Sequence, residues 1–243
     1  MLLAILIITT SNSKSQTIEL KKENKVKILE KNLKKTGLQK NLKNIFSTVI
    51  HYETFIDNAD GLKITGKVIF KEPNCFYHSE KRIYQKEMQL FITKFDGENC
   101  FVEREIDKTK TSNKISKELM NEKYILNNPF YTNFLFDNID EVLSINKVKK
   151  NKKTVFELKI NDNTSDSMLL YIDATSYFLI QKKIYKNNSL NSIHYSDFKT
   201  VEDFVIPHKE TSNRYLNNKL AQTLNKKIVS VNFNVDVNDS IFK

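Results

Sequence analysis

MLLYIDATSYFLIQKKIYKNNSLNSIHYSDFKTVEDFVIP, residues 168–207, is the stretch whose reading decides the fold. It reads as three strands and two turns. Met168, Leu170 and Ile172 alternate with Leu169, Tyr171 and Asp173. Apolar side chains therefore stand on both faces, as in a strand buried on both sides. Asp173-Ala174-Thr175-Ser176 is a polar break, because Asp and Ser bond their own backbone in turns. A second strand covers 177–185, with Phe178, Ile180, Lys182 and Ile184 on one face. Residues 186–189 turn the chain, and Ile193 and Tyr195 alternate along a third strand. Pro207 cannot donate to a ladder, so the strand at 204–206 is expected to stop there or to lie on an edge.

Read as one phrase, Tyr-Ile-Asp-Ala-Thr, a strand, Tyr-Ser-Asp-Phe-Lys and Val-Ile-Pro, this segment resembles the outer-membrane lipoprotein-sorting proteins. These are the LolA/LolB-like lipoprotein carriers of double-membraned bacteria. The hairpin Lys-Phe-Asp-Gly-Glu-Asn-Cys-Phe-Val at 94–102 and the closing strand near 229–242 resemble the same family. So does the opening frame around Gly37, although Leu38 stands where members often carry a second Gly. The likeness spans residues 18–243 as a pattern. It implies an α+β fold, a strongly curved antiparallel β-sheet (an incomplete β-barrel) with helices covering the open side. It also implies an apolar cavity that holds acyl chains. Periodicity alone yields only an antiparallel sheet of many strands.

The chain has 243 residues, 40% hydrophobic and 11% aromatic, enough for one sizeable domain. No linker and no internal repeat interrupts it, so residues 16–243 read as a single domain. The net charge of +10 fits an anionic partner or simply a solvated lysine surface. Its densest runs are 147–153 and 21–35. Nucleic acid is not expected, since no aromatic-in-strand RNA signature appears. An anionic membrane surface remains a partner for the basic residues.

Residues 2–8 form a short apolar run, too short to span a bilayer. Ser13-Lys14-Ser15 follows as a small-x-small site, so residues 1–15 read as a secretory signal, although no basic residue precedes the run. No Cys follows it, which departs from the lipid-anchored members and favours the soluble carriers. A soluble periplasmic monomer is the expectation.

Residues 18–46 read as helical: Ile28, Leu29 and Leu33 share a stripe, and Gly37 is placed as a C-cap. From Ser47 the period becomes two. Val49, His51, Glu53 and Phe55 form one face, and Leu62, Ile64, Gly66, Val68 and Phe70 another. Asp60-Gly61 and Asp96-Gly97 are hairpin turns. Asn128-Pro129 starts a helix bearing Phe130, Phe134 and Phe136, which residues 139–145 extend. Its polar flanks suit a lid over the cavity. The last strand, 227–237, places Val229, Val231, Phe233, Val235 and Val237 on one face.

Chemistry is sparse. His51, His78, His194 and His208 show no metal-ligand spacing, and Cys75 and Cys100 form no Cys-x-x-Cys pair. The two Cys read as small apolar fillers or as one disulfide in an oxidising compartment. No phosphate loop or nucleophile elbow appears, so neither a cofactor nor an enzyme activity is expected. What stands out is aromatic residues in strands: Phe70, Phe76, Phe91, Phe156, Tyr171, Phe178, Tyr195 and Phe198. With Phe130, Phe134 and Phe136 they are the expected lining and lid of an acyl-chain cavity. Core filling is the alternative for each. The function read from this is an exported carrier of a lipid or acylated protein. A non-enzymatic envelope module of the same fold with a filled core is the alternative, and an enzyme on an apolar substrate ranks last.

Overall fold

Fourteen strands, all paired antiparallel, make up one sheet among the residues that the computed structural model describes: 18–19, 22–41, 44–57, 59, 61–72, 74–116, 131–150, 152–160 and 167–243. A two-residue strand β1 (Ile18–Glu19) precedes a first meander: β2 (Ser47–Ile56), β3 (Lys63–Lys71), β4 (Cys75–Tyr84), β5 (Glu87–Phe95), β6 (Cys100–Ile106) and β7 (Thr109–Ile115). The second meander is β8 (Val142–Lys150), β9 (Lys153–Ile160), β10 (Ser167–Asp173), β11 (Leu179–Lys186), β12 (Ser189–Val201), β13 (Phe204–Leu216) and β14 (Lys219–Phe233). The two join where β14 pairs with β2, from Phe233↔Thr48 to Leu224↔Ile56. The sheet does not close: β1, beside β8, and β7 are its edges. β7 reads Thr-Lys-Thr-Ser-Asn-Lys-Ile and is exposed over its first six residues. Lysines on such an edge discourage pairing with another chain.

Among the described residues, three α-helices pack on one face of this sheet, here called the inner face. They are α1 (Lys22–Thr36), α2 (Leu38–Asn41) and α3 (Tyr131–Asp137). The stripe read from the sequence is the buried one. Ile28 and Leu29 enter a cluster with Leu135 of α3 and with Ile145, Leu158, Met168 and Leu170. Leu33 enters a second cluster with Leu38, Ile50, Val68, Phe76 and Phe204. One helix thus ties the two meanders together. Full burial of each such side chain stabilises by about 1.5–3 kcal/mol.

Polar contacts fix its position. Lys25 donates to the carbonyls of Val142 and Leu143, both at 2.8 Å. Asn32 donates to the carbonyl of Tyr177 at 2.6 Å. Tyr177 is presented by the turn read at 173–176. The Asp173 carboxylate accepts from the Thr175 N–H at 2.9 Å and the Ser176 N–H at 2.7 Å. Tyr177 itself sits at φ +62°, stacks on Phe156 and lies under the Lys31 ammonium.

Gly37 ends α1 as expected, at φ +80°. A second constraint was not legible: a Cβ there would lie 1.9 Å from the Asp203 carbonyl oxygen, in the turn between β12 and β13.

Several expectations are corrected. Residues 18–19 pair with β8 and are not helical. Residues 139–145 do not extend the helix. A 3-10 turn at Ile139–Glu141 leads into β8, because Val142 and Ile145 find their burial on the sheet. Pro207 neither ends a strand nor marks an edge, for β13 continues to Leu216 in the middle of the sheet. Pro207 stays opposite Phe198 with the β12–β13 register unshifted, beside Asp197 at φ +53°, and the β13–β14 ladder begins only at Lys209, so the missing N–H falls outside that second ladder. In β2 the inward face is Ile50, Tyr52 and Thr54, whereas Phe55 is 55% exposed. In β14 a register shift between Ile228 and Ser230 turns Val229 outward and Val231 and Phe233 inward. The chain then leaves the sheet, and Val237 and Phe242 cover Val49 and Ile69 on the outer face. Cys75 packs with that outer cluster and Cys100 with the inner one, so the two thiols stand on opposite faces as separate fillers.

Two outcomes follow from these contacts. Gly37→Ala combines a disfavoured φ with a backbone collision, each costing about 1–3 kcal/mol. At about 2–4 °C per kcal/mol for a chain of this size, its melting temperature should fall by roughly 5–20 °C, read by thermal denaturation. Asp173 is pushed up by burial, but the Ser176 and Thr175 N–H groups outweigh this and hold its carboxyl below the usual range. A lowered folded-state pKa means stabilisation that is complete above the ordinary carboxylate range and lost as pH falls through the lowered value. Denaturant titrations over a pH series should therefore find Asp173→Asn less stable at neutral pH, with the difference vanishing in acid.

Candidate functional site

Seven adjacent strands, β11 to β14 and then β2 to β4, line a single cavity of about 670 Å3 on the inner face. For seven neighbours to face one space, the sheet must curve around it. Strand register arranges the lining in levels. One runs Arg82, Ile64, Thr54, Lys226, Glu210 from β4 to β13. The next runs Ile56, Leu224, Ser212, Ile193. A third runs Gln222, Arg214, Asn191, Ile184. Alternation along each strand puts these residues inward and their neighbours outward.

The wall nearest the helices is polar and tightly bonded. Tyr52 and His78 share a hydrogen bond of 2.6 Å between the hydroxyl and Nε2. Burial first, then the Glu80 and Glu210 carboxylates, hold the Tyr52 hydroxyl protonated far above the usual phenol range. The ring lies across the sheet because its register partner is Gly66. A Cβ there would come within 2.0 Å of Tyr52 Cζ. Glu80 pairs with Arg82 at 2.6 Å and Glu210 with Lys226 at 3.2 Å. Lys226 also stands over the Tyr52 ring, and Arg82 over Phe91 at 4.7 Å.

Among the described residues, none of the aromatic side chains singled out from the sequence lines this cavity. Phe70, Phe76, Phe91, Phe156 and Tyr195 share its face of the sheet. Phe76 is fully buried, with Phe70 against it at 5.4 Å, under α1 and α2. Phe156 belongs to the cluster under α1 and α3, and Phe136 packs against both clusters. Tyr171, Phe178 and Phe198 stand on the other side. Tyr171 pairs with the outward Gln181, and Phe178 stacks on Phe198 at 4.7 Å. Phe130 and the side chain of Phe134 lie outside the described residues, and the lid expectation with them. The apolar part of the lining is aliphatic instead: Ile56, Ile64, Ile184, Ile193 and Leu224. The lining residues of β13 and β14 escaped the sequence reading because 209–226 alternates polar with polar, leaving no amphipathic signal.

The outer face carries a second polar group. Gln181 donates to Ser192 Oγ at 2.9 Å and lies 3.0 Å from His194 Nε2; its carbonyl accepts from Lys150. Lys150 sits 3.6 Å from the centre of the Tyr171 ring. Burial, then Lys183, lowers its pKa to about 8. Gln181 and Ser192 are buried, whereas His194 is exposed, so the network meets solvent at the imidazole. Lys150 is also one residue of the basic run 147–153, which forms the β8–β9 hairpin.

Among the described residues no three His, Cys, Asp or Glu side chains are placed to hold a metal ion. Among them, too, no helix is long and apolar enough to cross a membrane.

No family model matches the chain, and no curated protein matches it. Solved structures do. The chain is similar to an outer membrane lipoprotein-sorting protein domain from Vibrio parahaemolyticus, with a TM-score of 0.54 at 13% identity, covering 91% of this chain and 97% of that one. A LolA superfamily protein from Nitrosomonas europaea matches with a TM-score of 0.44 at 12% identity, over 88% and 97% of the two chains. Only the first is near enough to bear on the fold. With the open, curved antiparallel sheet, it shows that this chain has the fold of that lipoprotein-sorting protein domain.

Proposed function

We propose that this protein is a carrier that holds the acyl chain of a lipid or of an acylated protein inside its half-barrel, within the cell envelope. The observation that supports this is the cavity itself. Seven strands surround a space within the roughly 300–1,000 Å3 that encloses one small ligand. Its aliphatic side chains can bury methylenes at about 0.8 kcal/mol each. In this reading α1 and α3 cover the open side of the sheet, and α1 bridges the gap between the meanders. Export to the periplasm accords with the apolar run at 2–8. The β8–β9 hairpin, with Lys149, Lys152 and Lys153, is the surface that would approach an anionic membrane. A second reading, an envelope assembly module with no ligand, draws support from the two clusters under α1, which are closed by side chains.

Native mass spectrometry and lipid extraction of protein purified without detergent separate the two. A carrier should release lipid, or take up a fluorescent fatty acid at one per chain. Leu224→Trp, which fills the cavity, should reduce that uptake at least about tenfold while the fold is retained. Absence of both lipid and uptake would leave the assembly module as the reading.

A further inference from the structure

From the cavity's charge and its register we infer that the ligand is a single-chain amphiphile with an anionic head, and that Arg214 receives the head. This inference rests on the carrier reading and narrows it to a ligand class.

The lining carries two carboxylates, Glu80 and Glu210, against four cationic side chains, Arg82, Lys186, Arg214 and Lys226. Both carboxylates are engaged deep in the cavity, with Arg82 and with Lys226. The positive excess therefore collects at the other end. There Arg214 stands between Asn191 and Gln222, and Lys186 is paired with Ser189 on the neighbouring strands. None of the five is acidic, and Arg214, Asn191, Gln222 and Lys186 carry N–H donors, while the Ser189 hydroxyl donates to the Lys186 carbonyl. Arg214 has no carboxylate partner among the described residues and is exposed. It lies four positions beyond Glu210, about 13 Å along an extended strand.

This end is a rim braced by backbone. The β11–β12 and β13–β14 turns meet there, and the Asn217 N–H donates to the Asn188 carbonyl at 2.9 Å. The donors are thus carried on two joined hairpins. Between the rim and the deep ion pairs lies the aliphatic level of Ile56, Leu224 and Ile193. Donors without acids at the mouth, followed by an aliphatic passage, match a head that is an oxyanion and a tail that is a hydrocarbon. A guanidinium is suited to either a carboxylate or a phosphate, bonding both through paired N–H groups. Size limits the tail. A methylene fills roughly the ~30 Å3 of one liquid water, so the cavity of about 670 Å3 holds on the order of twenty non-hydrogen groups. That is one chain and its head.

The test is calorimetric titration of the full chain with hexadecyl phosphate, palmitate and uncharged monopalmitoylglycerol, with inorganic phosphate as a separate arm. Both anionic amphiphiles should bind roughly 10–100-fold tighter than the uncharged one, the gap expected of a charged hydrogen bond, and salt should narrow it. The tighter of the two identifies the head. Arg214→Gln should remove the gap, weakening both anionic amphiphiles far more than monopalmitoylglycerol, with the melting temperature unchanged. Equal affinity for charged and uncharged chains, or a variant that weakens both alike, overturns this inference and leaves the carrier reading standing. Inorganic phosphate binding as tightly as hexadecyl phosphate overturns the amphiphile. No binding of any of the three chains overturns the inference and the carrier reading together.

Discussion

The pairing of β14 with β2 is the contact on which the rest of this structure depends. It joins residues near the two ends of the chain, Phe233 with Thr48 and Leu224 with Ile56. Every other strand pair except β1–β8 connects sequence neighbours, and each of the two meanders could zip from its own turns. Without β14–β2 the molecule would be two ribbons with four edges. With it, the inner faces of β11 to β14 and of β2 to β4 turn toward one another and share a cavity. The loop closed is long, but loop entropy grows only with the logarithm of length. The extended ladder and the buried side chains Ile50, Val231 and Phe233 offset it.

The helix α1 repeats that joining on the inner face. Ile28 and Leu29 belong to a cluster of the second meander, and Leu33 to one that β2, β3 and β4 share with β13 and β14. Its position is over-determined. The Asp173 turn presents Tyr177 to Asn32, and the β12–β13 turn presses its Asp203 carbonyl against Gly37. Two turns of the second meander thus hold a helix that packs across both. The backbone strain at Tyr177 persists because Asp173 caps the turn from within and Phe156 stacks on the ring from beneath.

Side chains and cavity divide the inner face between them. The end under the helices is filled by Phe76, Phe204, Phe233 and their neighbours. The other end, where the strands run on past the helices, is hollow, and its walls alternate aliphatic with charged residues. Charges lining a curved sheet repel a purely apolar guest unless they are neutralised. Here Glu80 is paired with Arg82 and Glu210 with Lys226. The aromatic residues that drew attention in the sequence serve the filled end and the outer face.

Much of the architecture was legible from local signals. Period-two alternation placed the strands at 47–55, 62–70 and 168–173. Asp-Gly pairs marked two hairpins, and Gly37 after a lysine-rich turn marked the end of α1. The segment 168–207, read against a known family, also indicated a curved open sheet, which periodicity by itself does not contain. Three things were decided only by tertiary structure. Pro207 sits mid-sheet because it pairs with β12 alone, ahead of the point where β14 joins β13. Val229 faces out because β14 must shift register to meet β2. The cavity lies among polar strands, because strands 209–226 owe their conformation to neighbours on both sides and not to any pattern of their own. Alternation of apolar residues reports which face of a strand is dry. It is silent where a strand faces a hollow, since a hollow lined for a ligand need not be dry at all.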